Sequence, residues 1–287
     1  MNFETYYKQA WSEHAMQAQK VADELALGVS LVETNQQLSQ MAGLITHVMG
    51  EHLGLWSGGV SLLKSLKKHQ AFVGGNETEN TLLRSIAALE LGNNQNTDLN
   101  AFGPSDQVRI FAVAASALAE RDTRRAQEVF IKALSIAETS IDKKDPANRS
   151  LAITGNNLAC ALEEKKPRSA QENELMILAA QTGRKYWEVT GTWLEVERAE
   201  YRLANTYLQA NDLAEALRHA QACLKICSEN KAGALEFFFG YEALALVEKE
   251  RANLHGFQKA VEQIHLYFGE LGDDDKKWCE STLHKFK

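Results

Sequence analysis

The stretch LANTYLQANDLAEAL, residues 203–217, decides how the chain folds. Leu203, Ala204 and Tyr207 place a large, a small and a large apolar side chain on one face of a helix, because residues three and four apart share a helical face. Polar residues then interrupt this pattern, and Asp212 is of the type that caps the start of a new helix. The stretch therefore predicts two helices joined by a tight turn.

The same pattern recurs along the chain with a period of 45 residues. The small residue of the first helix is Ala114, Ala159 and Ala204, at intervals of 159 − 114 = 45 and 204 − 159 = 45. The matching position of the second helix recurs at intervals of 45, 45 and 44 residues, at Ala126, Gln171, Ala216 and Ala260. The fourth copy fits only with a turn about three residues longer, which places Ala245 in its first helix. A helical hairpin cannot bury its apolar face alone, so we expect successive hairpins to stack into one continuous core.

These residues carry a family resemblance. Leu203-Ala204-x-x-Tyr207, followed by Asp212-Leu213-Ala214-Glu215-Ala216-Leu217, resembles a tetratricopeptide repeat, and the resemblance covers roughly residues 105–270. The family's usual repeat is about 34 residues, so the longer period here should lengthen helices or connectors. The resemblance implies an all-α fold, an α-α superhelix in which antiparallel helix hairpins form a right-handed solenoid.

The repeats suggest three regions. Residues 1–100 are less regular and predict an N-terminal helical region of degenerate repeats or a cap. Residues 101–272 carry the tetratricopeptide-like repeats, and residues 273–287 predict a C-terminal capping helix in which Trp278 packs back. The polar run of residues 93–100 is the best candidate for a hinge.

Within the N-terminal region the apolar pattern predicts several helices. The first is an amphipathic helix from Phe3 to about Leu27, closed by Gly28. A second helical face continues to about Gly54, where we expect it to stop.

Composition narrows the classes of function. The formal net charge is −7, whereas a nucleic-acid binder or a protein of anionic membrane surfaces usually has a basic balance. No apolar stretch is long enough to span a membrane, and no secretory signal is visible. Four cysteines form no disulfide framework. We therefore expect a cytoplasmic protein that binds neither nucleic acid nor membrane.

No strong enzymatic motif is present. His219, Cys223 and Cys227 share one helical stripe, which could contribute to a metal site, but Cys223 occupies a core position of the repeat. His47 and His52 are five residues apart, whereas helical ligand pairs prefer a spacing of four. We predict no catalytic site, no metal site and no cofactor.

The family resemblance points to a binding surface instead. In tetratricopeptide arrays the first helices line the concave face, where Asn can bond a ligand's backbone and Arg can fork onto a carboxylate. Asn157, Arg198 and Arg202 match part of the family's carboxylate clamp, whereas the first unit departs from it with Phe111 and Ala115. The alternative is a solvated helix face. The predicted peptide- or partner-binding residues are Asn156, Asn157, Arg198, Tyr201, Arg202 and Asn205.

The leading functional hypothesis is a non-enzymatic scaffold or adaptor that binds a protein or peptide on this face. One alternative is a bacterial regulatory domain that senses a peptide or small ligand and acts through a partner. Another is an enzyme with an unrecognised metal-dependent site at His219 and the cysteines. The aromatic run Phe237-Phe238-Phe239 is explained by burial between helices, and a homodimer interface or a ligand-facing patch is the alternative.

Overall fold

The computed structural model describes residues 1–95 and 97–286, so one residue of the predicted hinge, Asn96, lies outside the described residues. Every regular element in these ranges is helical and no strand occurs in them, which confirms the predicted all-α class. Fourteen α-helices run through the described residues: α1 Phe3–Glu13, α2 Ala18–Ser30, α3 Asn35–Ile45, α4 Trp56–Leu66, α5 Glu77–Gly92, α6 Pro104–Leu118, α7 Thr123–Ser140, α8 Pro146–Glu164, α9 Ala170–Thr190, α10 Trp193–Gln209, α11 Leu213–Glu229, α12 Ala234–Glu250, α13 Leu254–Glu270 and α14 Asp273–Leu283. None of these helices combines the length and the apolar character that a membrane crossing needs.

The chain divides into two compact units, Met1–Ser150 and Leu151–Lys287. The division falls inside α8, so the predicted boundary at residue 100 lies within the first unit. Within each unit consecutive helices pack as neighbours, with α6 on α7 in the first unit and α10 on α11 and α12 on α13 in the second. In the second unit α10 also contacts α12, so the first helices of successive hairpins lie side by side.

The second helices of the four repeat hairpins, α7, α9, α11 and α13, begin in the same way. A polar side chain accepts a hydrogen bond from the backbone N–H three residues later, which satisfies one of the free donors at a helix start. The four capping residues and their bond lengths are Asp122 at 3.1 Å, Ser169 at 3.2 Å, Asp212 at 3.1 Å and Asn253 at 3.2 Å. The small residues Ala114, Ala159 and Ala204 are fully buried, as the repeat pattern predicts.

The predicted longer turn in the fourth copy is wrong. Three residues separate α12 from α13, as three separate α10 from α11. Asn211 and Ala252 have positive φ angles of 62° and 56°, and each directly precedes the capping residue of the next helix. The true interval is therefore 253 − 212 = 41 residues. Ala260 therefore corresponds to buried His219 (219 + 41 = 260) and not to Ala216, which lies one helical turn earlier. Because all three residues are buried, the sequence pattern alone suggested the wrong alignment.

The N-terminal segment folds as two helices, and the single predicted helix from Phe3 to about Leu27 is wrong. Residues 14–17 break the helix, and α2 folds back on α1. Gly28 lies inside α2, where a Cβ would overlap the ring of Tyr6. The Tyr6 hydroxyl donates to the backbone oxygen of Glu24 at 3.1 Å. Packing of the Tyr6 ring against Gly28 holds α1 and α2 together as a hairpin. The sequence pattern concealed the break at residues 14–17 because both helices have the same apolar periodicity.

A π-helical segment, Thr46–His52, continues directly from α3. Its backbone bonds run from residue i+5 to residue i, as from Leu53 N to Val48 O at 3.1 Å. Arg121 donates two bonds to the end of this segment, to Glu51 O at 2.8 Å and His52 O at 2.7 Å. Such π-turns often occur at functional sites.

Candidate binding site

An open cavity of about 410 Å³ lies on the second unit. Its walls come from α8, α10 and α12, which are the first helices of successive hairpins, and from α14. The lining residues are Asn156, Glu197, Arg198, Tyr201, Arg202, Leu235, Glu236, Phe239 and Trp278. This volume lies within the range of about 300–1,000 Å³ that is typical of ligand pockets.

Four of the six predicted binding residues line this cavity: Asn156, Arg198, Tyr201 and Arg202. The other two lie beside it. The exposed side chain of Asn157 accepts a hydrogen bond from Asn156 Nδ2 at 3.2 Å, and Asn205 Nδ2 donates to the backbone oxygen of Tyr201 at 3.0 Å. The part of any of these residues in binding stays a prediction.

Arg198 supplies the accessible positive charge. Its side chain is 61% exposed, and its Nη2 lies 3.4 Å from Glu236 Oε1. A guanidinium carries five N–H donors, so this one long contact leaves capacity for a further acceptor. Arg198 can therefore meet an incoming carboxylate in the bidentate geometry that such groups favour.

Arg202 has a different environment. Its Nη1 donates to the carboxylate of Glu163, and Thr206 Oγ1 donates to the other oxygen of Glu163 at 2.6 Å. Burial raises the pKa of Glu163, and the charge of Arg202 opposes this shift. In the described part of the chain Arg202 Nε is buried without a hydrogen-bond partner. Arg202 is thus an internal ion-pair partner, and Arg198 is the arginine that an external ligand can reach.

Aromatic side chains form part of the wall of the same cavity. The ring of Phe239 lies 5.2 Å from that of Trp278 and 5.8 Å from that of Tyr201, measured between centroids. Trp278 contacts Phe239 but remains 64% exposed, so it packs back only in part. The Tyr201 hydroxyl donates to Glu242 Oε2 at 2.8 Å, and burial together with this carboxylate raises the pKa of Tyr201. The wall offers an apolar surface that a ligand side chain can cover.

Glu197 borders the cavity from the inner side. Cys223 Sγ donates to Glu197 Oε1 at 2.8 Å, and Cys227 Sγ approaches the same oxygen at 3.6 Å. Burial raises the pKa of Glu197. Contact with Cys227, burial and the nearby Glu197 carboxylate all raise the pKa of the Cys223 thiol. The thiol protons therefore serve as hydrogen-bond donors to Glu197, and both cysteines are buried core residues.

The structure separates His219 from the two cysteines with which it shares a stripe. His219 Nδ1 donates to Glu200 Oε2 at 2.5 Å, and Arg184 Nε donates to Glu200 Oε1 at 2.5 Å. Burial opposes ionisation of Glu200, but these two bonds outweigh it and lower the pKa of Glu200. Around the two cysteines, the ligand atoms that lie within 4.8 Å of one another are those of Glu197, Cys223 and Cys227, all of them buried, and His219 is not among them.

Sequence reasoning missed five of the lining residues: Glu197, Leu235, Glu236, Phe239 and Trp278. Phe239 lies in the aromatic run that was explained mainly by burial. The sequence distance between α12 and α14 conceals the contact between Phe239 and Trp278. Comparison with family models, with curated proteins and with solved structures finds no match to this chain. The resemblance to tetratricopeptide repeats therefore rests on the quoted residues alone.

Proposed function

We propose that the second unit is a non-enzymatic binding module that takes a peptide segment ending in, or carrying, a carboxylate next to an apolar side chain. The observation that carries this proposal is the exposed Arg198 beside the Phe239–Trp278 wall in one cavity of about 410 Å³. A mostly apolar pocket with a few polar groups that fix orientation is the usual form of such sites. The chain would then act as a scaffold or adaptor of the tetratricopeptide kind.

The charges in the cavity favour an anionic ligand group over a cationic one. Glu236 is largely buried and already faces Arg198. Ionisation of Glu197 is disfavoured by burial, which raises its pKa, and its oxygen already accepts from two thiols. Among the described residues that line the cavity, a cationic ligand would therefore find no unpaired carboxylate, whereas a carboxylate finds the exposed guanidinium of Arg198.

We further propose a protein or peptide partner in the cytoplasm, with no role for nucleic acid or membrane. All four cysteines are free thiols, which suits a reducing compartment. The formal net charge of −7 weighs against contacts with phosphates or anionic lipid. The alternative is that a second copy of this chain covers the aromatic surface in a homodimer. Peptide binding that does not change the oligomeric state would exclude this alternative.

A peptide array tests the proposal. The full chain is applied to peptides with varied last residues, displayed either with a free C terminus or as the C-terminal amide, and affinities of the best peptides are measured by fluorescence polarisation. Arg198→Glu should weaken binding about 10-fold to 100-fold, because a charge-assisted bond contributes about 1.5–3 kcal/mol. Amidation of the peptide's C terminus should weaken binding by a similar factor if the terminal carboxylate is the group that is bound.

Lys225→Glu is the matched control. Lys225 is 74% exposed on α11 and does not line the cavity, so reversal of its charge changes the net charge equally without touching the site. Equal affinities for wild type and Arg198→Glu would refute the proposal. Selection of peptides rich in Lys and Arg would refute the choice of an anionic ligand group.

The volume of the cavity also supports a second candidate, a sensor of a small carboxylate ligand. One cavity of about 410 Å³ can enclose a small molecule as well as the end of a peptide. Competition distinguishes the two: N-acetylated single amino acids should displace the peptide at similar concentrations only in the sensor case. If none of the N-acetylated amino acids competes, the sensor is excluded and the peptide-binding module is supported.

A further inference from the structure

Three histidines come together in the first unit although they are far apart in the sequence. His14 follows the end of α1, and His47 and His52 belong to the π-helical segment Thr46–His52. The ring centroids are 4.9 Å apart for His14 and His47, 5.2 Å for His14 and His52, and 4.6 Å for His47 and His52. One ring nitrogen from each residue lies within 4.8 Å of the others, and all three side chains are half-buried, so solvent reaches the cluster.

The π-helix explains why the spacing of five residues brings His47 and His52 together. The expected preference for a spacing of four assumes an α-helix, in which residue i bonds to residue i+4. In the π-helical segment the bond runs to residue i+5, so residues five apart lie one above the other. The sequence argument against a metal site at His47 and His52 assumed an α-helix, and this assumption was wrong. The argument also could not include His14, which follows a different helix.

Hydrogen bonds orient two of the three rings. His14 Nδ1–H donates to the backbone oxygen of Trp11 at 2.6 Å, and His47 Nδ1–H donates to Glu51 Oε2 at 2.9 Å. Since a carbonyl and a carboxylate oxygen only accept, the neutral form of each ring carries its proton on Nδ1 and a lone pair on Nε2. A second ring nitrogen bonded to a carbonyl or carboxylate is the usual arrangement of histidines that hold a metal.

His52 completes the set. Its Nε2 lies 3.1 Å from His47 Nε2, close to the separation of about 3.3 Å that two ligands have in a tetrahedral site with Zn–N bonds of about 2.0–2.1 Å. In the metal-free chain His52 Nε2–H donates to the lone pair of His47. Moving this proton to Nδ1 of the same ring frees the second lone pair, so metal binding needs a change of tautomer and no net loss of a proton.

The surroundings hold this arrangement in place. The Trp11 ring stacks on His47 at 5.1 Å and meets the edge of His14 at 5.0 Å. Arg121 bonds to the backbone oxygens of Glu51 and His52, so the end of the π-helix cannot shift without breaking both bonds. The three imidazoles are therefore pre-positioned by groups that do not themselves bind a metal.

We propose that His14, His47 and His52 form a binding site for a divalent transition-metal ion, Zn²⁺ in the first place, with three imidazole ligands and a fourth position open to water. Imidazole nitrogen is a preferred donor for Zn²⁺, and three histidines with an exchangeable water form a known coordination type. Glu51 is the positioning residue, because it orients His47 without ligating. The ion would join the end of α1 to the π-helical segment.

Metal binding by the full chain tests the proposal. The protein is stripped with a chelator, and Zn²⁺ is titrated in competition with a chromophoric chelator. The expected result is one tight site per chain in wild type, loss of at least about 100-fold in affinity in His47→Gln and His52→Gln, and a smaller loss of about 10-fold to 100-fold in Glu51→Gln. His265→Gln, which removes an exposed histidine of α13, should bind like wild type. Circular dichroism establishes that each variant is folded.

Two measurements on the unmodified chain keep the test decisive even if a variant fails to fold. Substitution with Co²⁺ should give the visible absorption of a nitrogen-ligated tetrahedral ion without thiolate charge-transfer bands, and NMR should show the ring signals of His14, His47 and His52 moving on addition of Zn²⁺. Absence of stoichiometric binding, or unchanged binding in both histidine variants, would overturn the proposal. Thiolate bands would overturn it in favour of the cluster of Glu197, Cys223 and Cys227.

Discussion

The close approach of α8 and α9 gives the sharpest test of the helical pairing. A Cβ added to Gly155 on α8 would lie 2.6 Å from the backbone oxygen of Ala179 and 2.6 Å from the backbone nitrogen of Gly183, both on α9. Ordinary van der Waals contacts begin at about 3.4 Å. Backbone atoms cannot rotate away as a side chain can, so Gly155→Ala must push the two helices apart by about 0.8 Å.

The expected magnitude follows from two opposing terms. Overpacking of a well-packed contact costs about 1–3 kcal/mol, and the upper part of this range applies because both clashes are with backbone. The gain in helix propensity from Gly to Ala returns about 1 kcal/mol. The net loss is therefore about 2 kcal/mol in the free energy of unfolding, or about 3 °C in Tm for a chain of this size.

Gly269→Ala is the matched control in the same unit. Gly269 is an exposed residue of α13, and a Cβ there would meet nothing within 4 Å. This substitution should leave stability unchanged or raise it by up to about 1 kcal/mol. Urea unfolding followed by circular dichroism measures both variants, and a Gly155→Ala protein as stable as the Gly269→Ala protein would refute the close packing of α8 on α9.

Two further predictions concern buried charge. Glu172 accepts bonds from Lys165 and from the backbone at the start of α9, which lower its pKa to about 2. Stability from this depressed pKa is present above pH ~4.5 and is lost as pH falls towards 2, so Glu172→Gln should flatten the acid limb of a plot of the free energy of unfolding against pH by about 2 kcal/mol. Urea unfolding at a series of pH values measures this limb, and an unchanged limb would contradict the assignment. Glu163→Gln should lower the free energy of unfolding by about 3 kcal/mol, because it leaves Arg202 buried without its counter-charge. The control is Glu188→Gln, at a carboxylate that is 69% exposed, which should change stability by less than about 0.5 kcal/mol. Equal effects of the two substitutions in urea unfolding would argue against a buried pair.

The sequence predicts the helical hairpins because their signal is local. The large-small-large pattern around Ala204 and the cap at Asp212 both act within a few residues, so spacing and residue type are sufficient. The fourth hairpin misled this reasoning because Ala260 lies one helical turn from the expected position and is equally buried. Periodicity alone does not distinguish two registers that differ by one turn.

The cavity was predictable only in part, because its two halves have different origins. Arg198 and Tyr201 follow from the place of α10 in the repeat and from the family resemblance. Trp278 and Glu236 reach the cavity through packing of α14 and α12, which no local pattern specifies. The histidine cluster was hidden for a related reason, since a π-helix is not visible in residue spacing and His14 comes from a separate helix.

The central claim is that a carboxylate-bearing peptide binds in the cavity beside Arg198. The most direct measurement is the NMR signal of the Trp278 indole N–H, assigned with Trp278→Phe, during titration with the best peptide from the array. We expect this signal to move and saturate at the affinity measured by polarisation, and to need about 10-fold to 100-fold more peptide for the same movement in Arg198→Glu. The Trp56 indole, which donates to Gly50 O at 3.2 Å in the first unit, should not respond. Saturable peptide binding that leaves the Trp278 signal unmoved would contradict the claim.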